Sequence, residues 1–302
     1  MLQESLESKV RRLEADAPIA LDRVDLTIRH PERLRLRFSE IFAYIAKVEG
    51  SVPQNVADIT ELVPTLDELD RRFLSVWSDH ESAHATIFEA LGAELGLAQL
   101  PAPTGRSPED QAVAARPRPS FRLFGVTARL PWLADVFKLV YLARGAMQEH
   151  LTYNCYRGLG AQLSMLGEHA LATTVCDPIR RQEAAHLGYY RLAASTHRRQ
   201  LSGSQVALAR SISIRTYAPV GAAPCGRASA SRVFAGLAGE HQDETLDAVQ
   251  ALADQLLGEP GHPLPPFVHE VMGRSQERSS RQMPAIRSLR GRLRLPAGST
   301  GQ

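Results

Sequence analysis

Ile179-Arg180-Arg181-Gln182-Glu183-Ala184-Ala185-His186-Leu187-Gly188-Tyr189-Tyr190 is the stretch on which the fold is decided. Ile179, Glu183, His186 and Tyr190 recur at helical spacing, so a glutamate and a histidine lie on one apolar stripe. A twin stands upstream, where Phe73, Trp77, Glu81, His84, Phe88 and Leu91 share a face and Glu81-Ser82-Ala83-His84 repeats the Glu-x-x-His spacing. On a helix, residues three apart sit about 5–6 Å from each other, so both side chains reach one ion. Composition alone produces roughly 0.7 such matches in a chain of this size, so two on separate apolar stripes carry weight. A third match, Glu259-Pro260-Gly261-His262, has a helix-breaking centre and reads as a turn. Burying an acid and an imidazole in each stripe is costly without a partner, and a shared cation supplies one. The bland alternative is a pair of buried Glu–His hydrogen bonds.

The rest of the chain also reads as helix. Expected helices run from about Glu32 to Val48, from Thr65 to Leu97, from Pro131 past Tyr156, and from Asp177 to Gln200. Asp177 is the expected N-cap of the last, with Pro178 at its first position. Shorter helices are expected over 204–214 and 227–257. The predicted organisation is an N-terminal arm over 1–30, a four-helix core over 31–200, a helical extension over 201–258 and a loosely ordered tail over 259–302. A Pro-, Arg- and Ser-rich connection at 98–131 interrupts the core. The class is all-α, a four-helix bundle with additional C-terminal helices.

A two-metal carboxylate site in a helix bundle takes one further glutamate from each of the other two helices. On the first helix Phe38, Phe42, Ile45 and Val52 define the apolar face; Glu49 lies on it, and Glu40 is read as a solvated acid beside Tyr44 and Lys47. On the third helix Glu149 is the only acid between Val136 and Leu166. The chain order becomes Glu49, Glu81-x-x-His84, Glu149, Glu183-x-x-His186.

With this constellation, residues 38–200 resemble the ferritin-like di-iron oxidases, most closely the soluble acyl-acyl-carrier-protein desaturases. Glu49 followed by Pro53, Trp77 four residues before Glu81, and Gln148-Glu149-His150-Leu151-Thr152 are similar to family motifs. So is the run from Gly167-Glu168 to the second Glu-x-x-His. His80, Gln182 and Leu187 stand where the family commonly has acids. The resemblance implies two iron ions bridged by Glu81 and Glu183, one completed by Glu49 and His84, the other by Glu149 and His186. It implies that Thr152 delivers protons beside the oxygen site, and that molecular oxygen and a ferredoxin-type donor drive oxidation of an unactivated C–H bond. A narrow apolar channel lined by Thr152, Tyr156 and Phe88 would hold an acyl chain on acyl carrier protein, and a homodimer is expected. Relatives of this fold also hydroxylate or N-oxygenate small specialised metabolites. Arg29, Arg33, Arg35 and Arg37, or the arginine-rich tail, are the expected docking cations for an acidic carrier.

Two other classes compete. His80-Glu81-Ser82-Ala83-His84 is literally His-Glu-x-x-His, a zinc protease motif that needs a third ligand such as Glu94 or Glu109. A non-catalytic helical binding protein is the other. His80 or His150 is also a candidate extra iron ligand.

Bulk properties narrow the field. With 44% hydrophobic and 23% charged residues the chain is neither disordered nor fibrous. The net charge of +2 implies no nucleic-acid binding; all but three of the 35 basic side chains are arginine (the lysines are Lys9, Lys47 and Lys138). Three cysteines without C-x-x-C spacing predict reduced thiols and a cytoplasmic location. No secretory signal and no membrane span are expected.

Overall fold

The structure is a computed structural model that describes residues 5–97, 130–259 and 261–281. The described residues are helical, with no strand; one isolated bridge, Glu259 to His262, closes the turn that Pro260-Gly261 predicts. Among the described residues ten helices of eight or more residues follow in order: α1 Leu6–Ala15, α2 Pro31–Glu49, α3 Val52–Leu62, α4 Glu68–Glu94, α5 Pro131–Met165, α6 Asp177–Arg198, α7 Gly203–Thr216, α8 Arg227–Ala238, α9 Gln242–Leu257 and α10 Phe267–Arg281. No helix among them is long and apolar enough to cross a membrane.

Local chemistry sets the ends of the four long helices. Helix α2 opens on Pro31, whose missing N–H would have had no partner there. The buried Glu168 carboxylate accepts the N–H groups of Arg29 and His30 at 2.9 and 2.6 Å, just ahead of that start. Helix α4 begins later than its periodicity suggests, because Asp67 and Asp70 form a reciprocal capping box. At its far end the Leu95 carbonyl accepts Arg35 Nε and Nη2 at 3.0 and 2.6 Å.

Three sequence expectations are corrected. Asp177 is not an N-cap: its φ of −68° and ψ of −42° are helical, and a helical run from His169 passes through it. The passage is a π-helical turn over Ala172–Cys176. Pro178 has no N–H to give and its ring crowds the carbonyl four residues back, so a widened turn lets the helix continue. The arm expected over 1–30 contains α1, whose Val10 and Leu13 are buried in the core. The tail expected to be loosely ordered from residue 259 carries α10, with Val268 and Met272 fully buried; residues 282–302 lie outside the described residues. So does most of the 98–131 connection.

Two apolar clusters form the interior. One gathers α1, the N-terminal part of α4, the C-terminal part of α6 and helices α7, α9 and α10 around α5. The other gathers α2, the far ends of α4 and α5, the start of α6 and part of α8. Phe38, Phe42 and Phe88 in the second contribute about 1.5–3 kcal/mol each by burial. Two glycines permit the approaches that seal the interior. A Cβ on Gly145 of α5 would meet the Tyr190 ring at 2.4 Å, and one on Gly158 would meet the Leu237 carbonyl oxygen at 2.1 Å. The ionisable residues of the two Glu-x-x-His motifs are buried in the seam between the clusters.

Candidate metal centre

Each of the four long helices brings its predicted ligand to that seam. Glu81 and His84 come from the middle of α4, Glu183 and His186 from α6, Glu149 from the middle of α5, and Glu49 is the last residue of α2. All six are buried. They fall into two groups whose ligand atoms lie within 4.8 Å of one another: Glu49, Glu81, His84 and Glu183, and Glu81, Glu149, Glu183 and His186. Glu81 and Glu183 belong to both. Glu81 turns Oε2 to His84 Nδ1 at 3.1 Å and Oε1 to His186 Nδ1 at 3.2 Å. Glu183 does the same, with Oε1 at 3.4 Å from His84 Nδ1 and Oε2 at 3.7 Å from His186 Nδ1. Glu149 Oε2 completes the second group, 3.6 Å from His186 Nδ1. Each of these two carboxylates thus offers one oxygen to each group.

The electrostatics are compatible with bound cations. Burial, reinforced by the Glu81 charge, pushes the carboxyls of Glu49 and Glu183 well above the usual range. Burial also acts against an ionised Glu81, but the His84 and His186 rings together hold it well below that range. Burial opposes charge on His186, yet its contacts to Glu149, Glu183 and Glu81 raise it well above an ordinary imidazole. Glu149 Oε2, Glu183 Oε1 and His186 Nδ1 are buried and make no hydrogen bond. A native interior rarely leaves three such atoms facing each other. Four carboxylates and two imidazoles make a hard, anionic set suited to divalent iron or manganese, and the geometry is compatible with two ions sharing Glu81 and Glu183.

The outward-facing histidine nitrogens are also engaged. His84 Nε2–H donates to Gln182 Oε1 at 2.9 Å, and Gln182 Nε2 donates to the Ala17 carbonyl at 3.2 Å. His186 Nε2 meets His80 Nδ1 at 3.0 Å, and His80 Nε2 meets the Asp16 carbonyl at 2.7 Å. Tyr156 donates its hydroxyl to Glu49 Oε1 at 2.9 Å.

The other sequence candidates sort as follows. Thr152 lines an apolar cavity beside Glu49, and its hydroxyl donates to the Gln148 carbonyl at 3.0 Å. Tyr156 and Cys155 line the same cavity; burial pushes the Cys155 thiol up to about 12. Phe88 does not line it, and packs in the aromatic cluster with Phe42 and Tyr156. Glu40 stays out of the metal groups, but it is no free solvated acid: it accepts Arg232 Nη2 at 2.7 Å. Its supposed solvent neighbour Tyr44 is buried and donates to the Val220 carbonyl. His80 and His150 join neither metal group, and both nitrogens of His80 make hydrogen bonds, to His186 and to the Asp16 carbonyl. Glu94 is exposed and Glu109 lies outside the described residues. Of the proposed docking arginines, Arg35 is committed to Leu95 and Glu32, and Arg37 to Gln162 Oε1 at 2.8 Å; Arg29 and Arg33 are exposed.

Sequence reading did not assign the Tyr156 bond to Glu49, although Tyr156 stands two turns after Glu149 on the same face. Nor did it find Asp16 and Ala17, which act through backbone carbonyls and leave no residue-type signal. The chain matches no family model, no curated protein and no solved structure.

Proposed function

We propose that the chain is an oxygen-dependent oxidoreductase, a ferritin-like four-helix bundle holding two iron ions. The observation that carries this reading is the pair of buried half-sites that share Glu81 and Glu183. Bound there, iron would supply the activation of dioxygen, whose reduction takes two electrons from a ferredoxin-type donor and two from the substrate. The remaining work falls to the chain. Glu49 with His84, and Glu149 with His186, would hold one ion each, with Glu81 and Glu183 available to both. Tyr156 steadies Glu49 by its hydrogen bond. The apolar walls of the cavity beside Glu49, among them Ile45, Val233 and Leu237, exclude water from the reacting face. Thr152 would be the proton donor of that cavity: it lines the cavity wall, and its hydroxyl, now held by the Gln148 carbonyl, would turn toward the substrate to donate.

For the substrate, the first reading is an acyl chain carried on acyl carrier protein, desaturated by a cytoplasmic homodimer. A second reading is favoured by one observation. The cavity measures about 50 Å³, room for only a few atoms and far less than an extended acyl chain fills. A small apolar or aryl substrate, hydroxylated or N-oxygenated, needs less displacement.

The test has two stages. Purified protein is loaded with Fe(II) without oxygen, and its metal content and absorbance are followed on exposure to oxygen. Two irons per chain with an oxygen-dependent spectral change is the expected result; one zinc per chain, kept after Glu183→Ala, rejects the reading. Reductant, oxygen and a panel of acyl-carrier substrates, free acids and aryl amines then separate the two substrate classes.

A further inference from the structure

The two histidines of the centre are wired outward in the same way, and both wires end on consecutive peptide groups. His186 of α6 leads through His80 of α4 to the Asp16 carbonyl, and His84 of α4 leads through Gln182 of α6 to the Ala17 carbonyl. Each relay residue immediately precedes the glutamate of its own Glu-x-x-His motif and serves the histidine of the opposite helix.

A backbone carbonyl only accepts, and this fixes every proton along both wires. His80 carries its proton on Nε2, so its Nδ1 accepts from His186 Nε2–H. Gln182 donates its amide N–H to Ala17, so its oxygen accepts from His84 Nε2–H. The Nδ1 atoms of both ligand histidines are thereby the ones left to bind metal, and both face the shared carboxylates. Outer partners of this kind hold a ligand's tautomer and ring angle.

Asp16 and Ala17 follow directly on α1, so the position of α1 sets the position of both carbonyls. Helix α1 is clamped from two sides. Val10 and Leu13 are buried, and Arg72 of α4 pairs with Glu7 at 3.3 Å and Glu14 at 2.6 Å. Farther on, the Asp25 N–H donates to Thr174 Oγ1 at 3.0 Å, tying the same strand of chain to the π-turn before α6.

We infer that the N-terminal segment 5–17 is a positioning strap for the metal centre, locking the tautomers of His84 and His186 through Gln182 and His80, so that strap docking and metal binding favour one another. The inference rests on the metal reading above. By linkage, metal bound at the centre holds the strap down as strongly as the strap improves the site.

Cobalt(II) titration of the full chain, with hydrogen exchange, tests it. In the unaltered protein Co(II) slows amide exchange over residues 8–17, while α10, which is equally peripheral and touches neither relay, is unchanged. His80→Leu weakens the His186 half-site about 10- to 100-fold, and Gln182→Leu weakens the His84 half-site by a similar factor. His80→Gln restores binding, because a glutamine amide accepts from His186 and donates to Asp16 as Gln182 does on the other wire. Unchanged exchange of the strap on Co(II) binding overturns the inference, as does His80→Gln binding no better than His80→Leu. Should His80→Leu fail to fold, His80→Gln and the exchange measurement still decide. An unaltered chain that binds no Co(II) defeats the metal reading itself, and that shows in the first titration.

Discussion

The two residue groups of the candidate centre share Glu81 and Glu183 but differ in their walls. Glu149 sits in the middle of a 35-residue helix, and its partner His186 has Phe73 edge-on at 6.3 Å and His80 tilted at 5.2 Å. Glu49 is the last residue of α2, followed by Gly50 and Ser51 before α3 begins. It borders the apolar cavity and is steadied by the Tyr156 hydroxyl. The half-site built on continuous helix is walled in; the one built where a helix ends faces the space a substrate can use. A carboxylate on a helix terminus can change its angle at less cost than one in a helix interior, because fewer backbone hydrogen bonds depend on it. On the proposed function, the asymmetry puts the substrate on the Glu49 side.

Removing what the halves share has the largest effect. Glu81→Ala or Glu183→Ala should release both metals, read as metal per chain after gel filtration; retention of one ion would mean the carboxylates do not bridge. Removing what they do not share comes next. Glu49→Ala and Glu149→Ala should each cost one metal and leave the other, and only Glu49→Ala should alter the substrate range.

Protons separate the halves less. Without metal, Glu49, Glu183 and His186 all have raised pKa values, so protons compete with an incoming cation for these groups at higher pH than for ordinary carboxyls and imidazoles. Metal affinity should fall as pH falls, with release of on the order of one proton per ion. An indicator-dye titration that shows no release would contradict the charge balance described for the seam.

The smallest effects probe the braces. Tyr156→Phe leaves a buried Glu49 oxygen without its donor, a cost of about 1–3 kcal/mol that should appear at the Glu49 half-site alone. Equal weakening of both halves would erase the asymmetry. Glu40→Ala loses a half-exposed pair with Arg232, so thermal stability should drop by less than about 1 kcal/mol with metal binding unchanged.

Much of this was legible in the chain because the governing rules are local. A spacing of three residues puts Glu81 beside His84 and Glu183 beside His186 on any helix. The same period places Glu49 with Phe42 and Ile45 rather than with Glu40. Periodicity also located the four long helices. It failed at their edges, where single contacts decide: Asp67 starts α4, and Arg35 meets the Leu95 carbonyl at its end. At Asp177-Pro178 a good local start signal lost to a π-turn that carries the helix through. The relays were beyond reach for a different reason. His80 meets Asp16 across 64 positions and Gln182 meets Ala17 across 165, and the accepting groups are peptide carbonyls that every residue possesses. Side-chain type and spacing determine which groups face inward from a helix. Only the packing of helices on one another decides which backbone atoms stand behind them, because that depends on the summed contacts of distant segments.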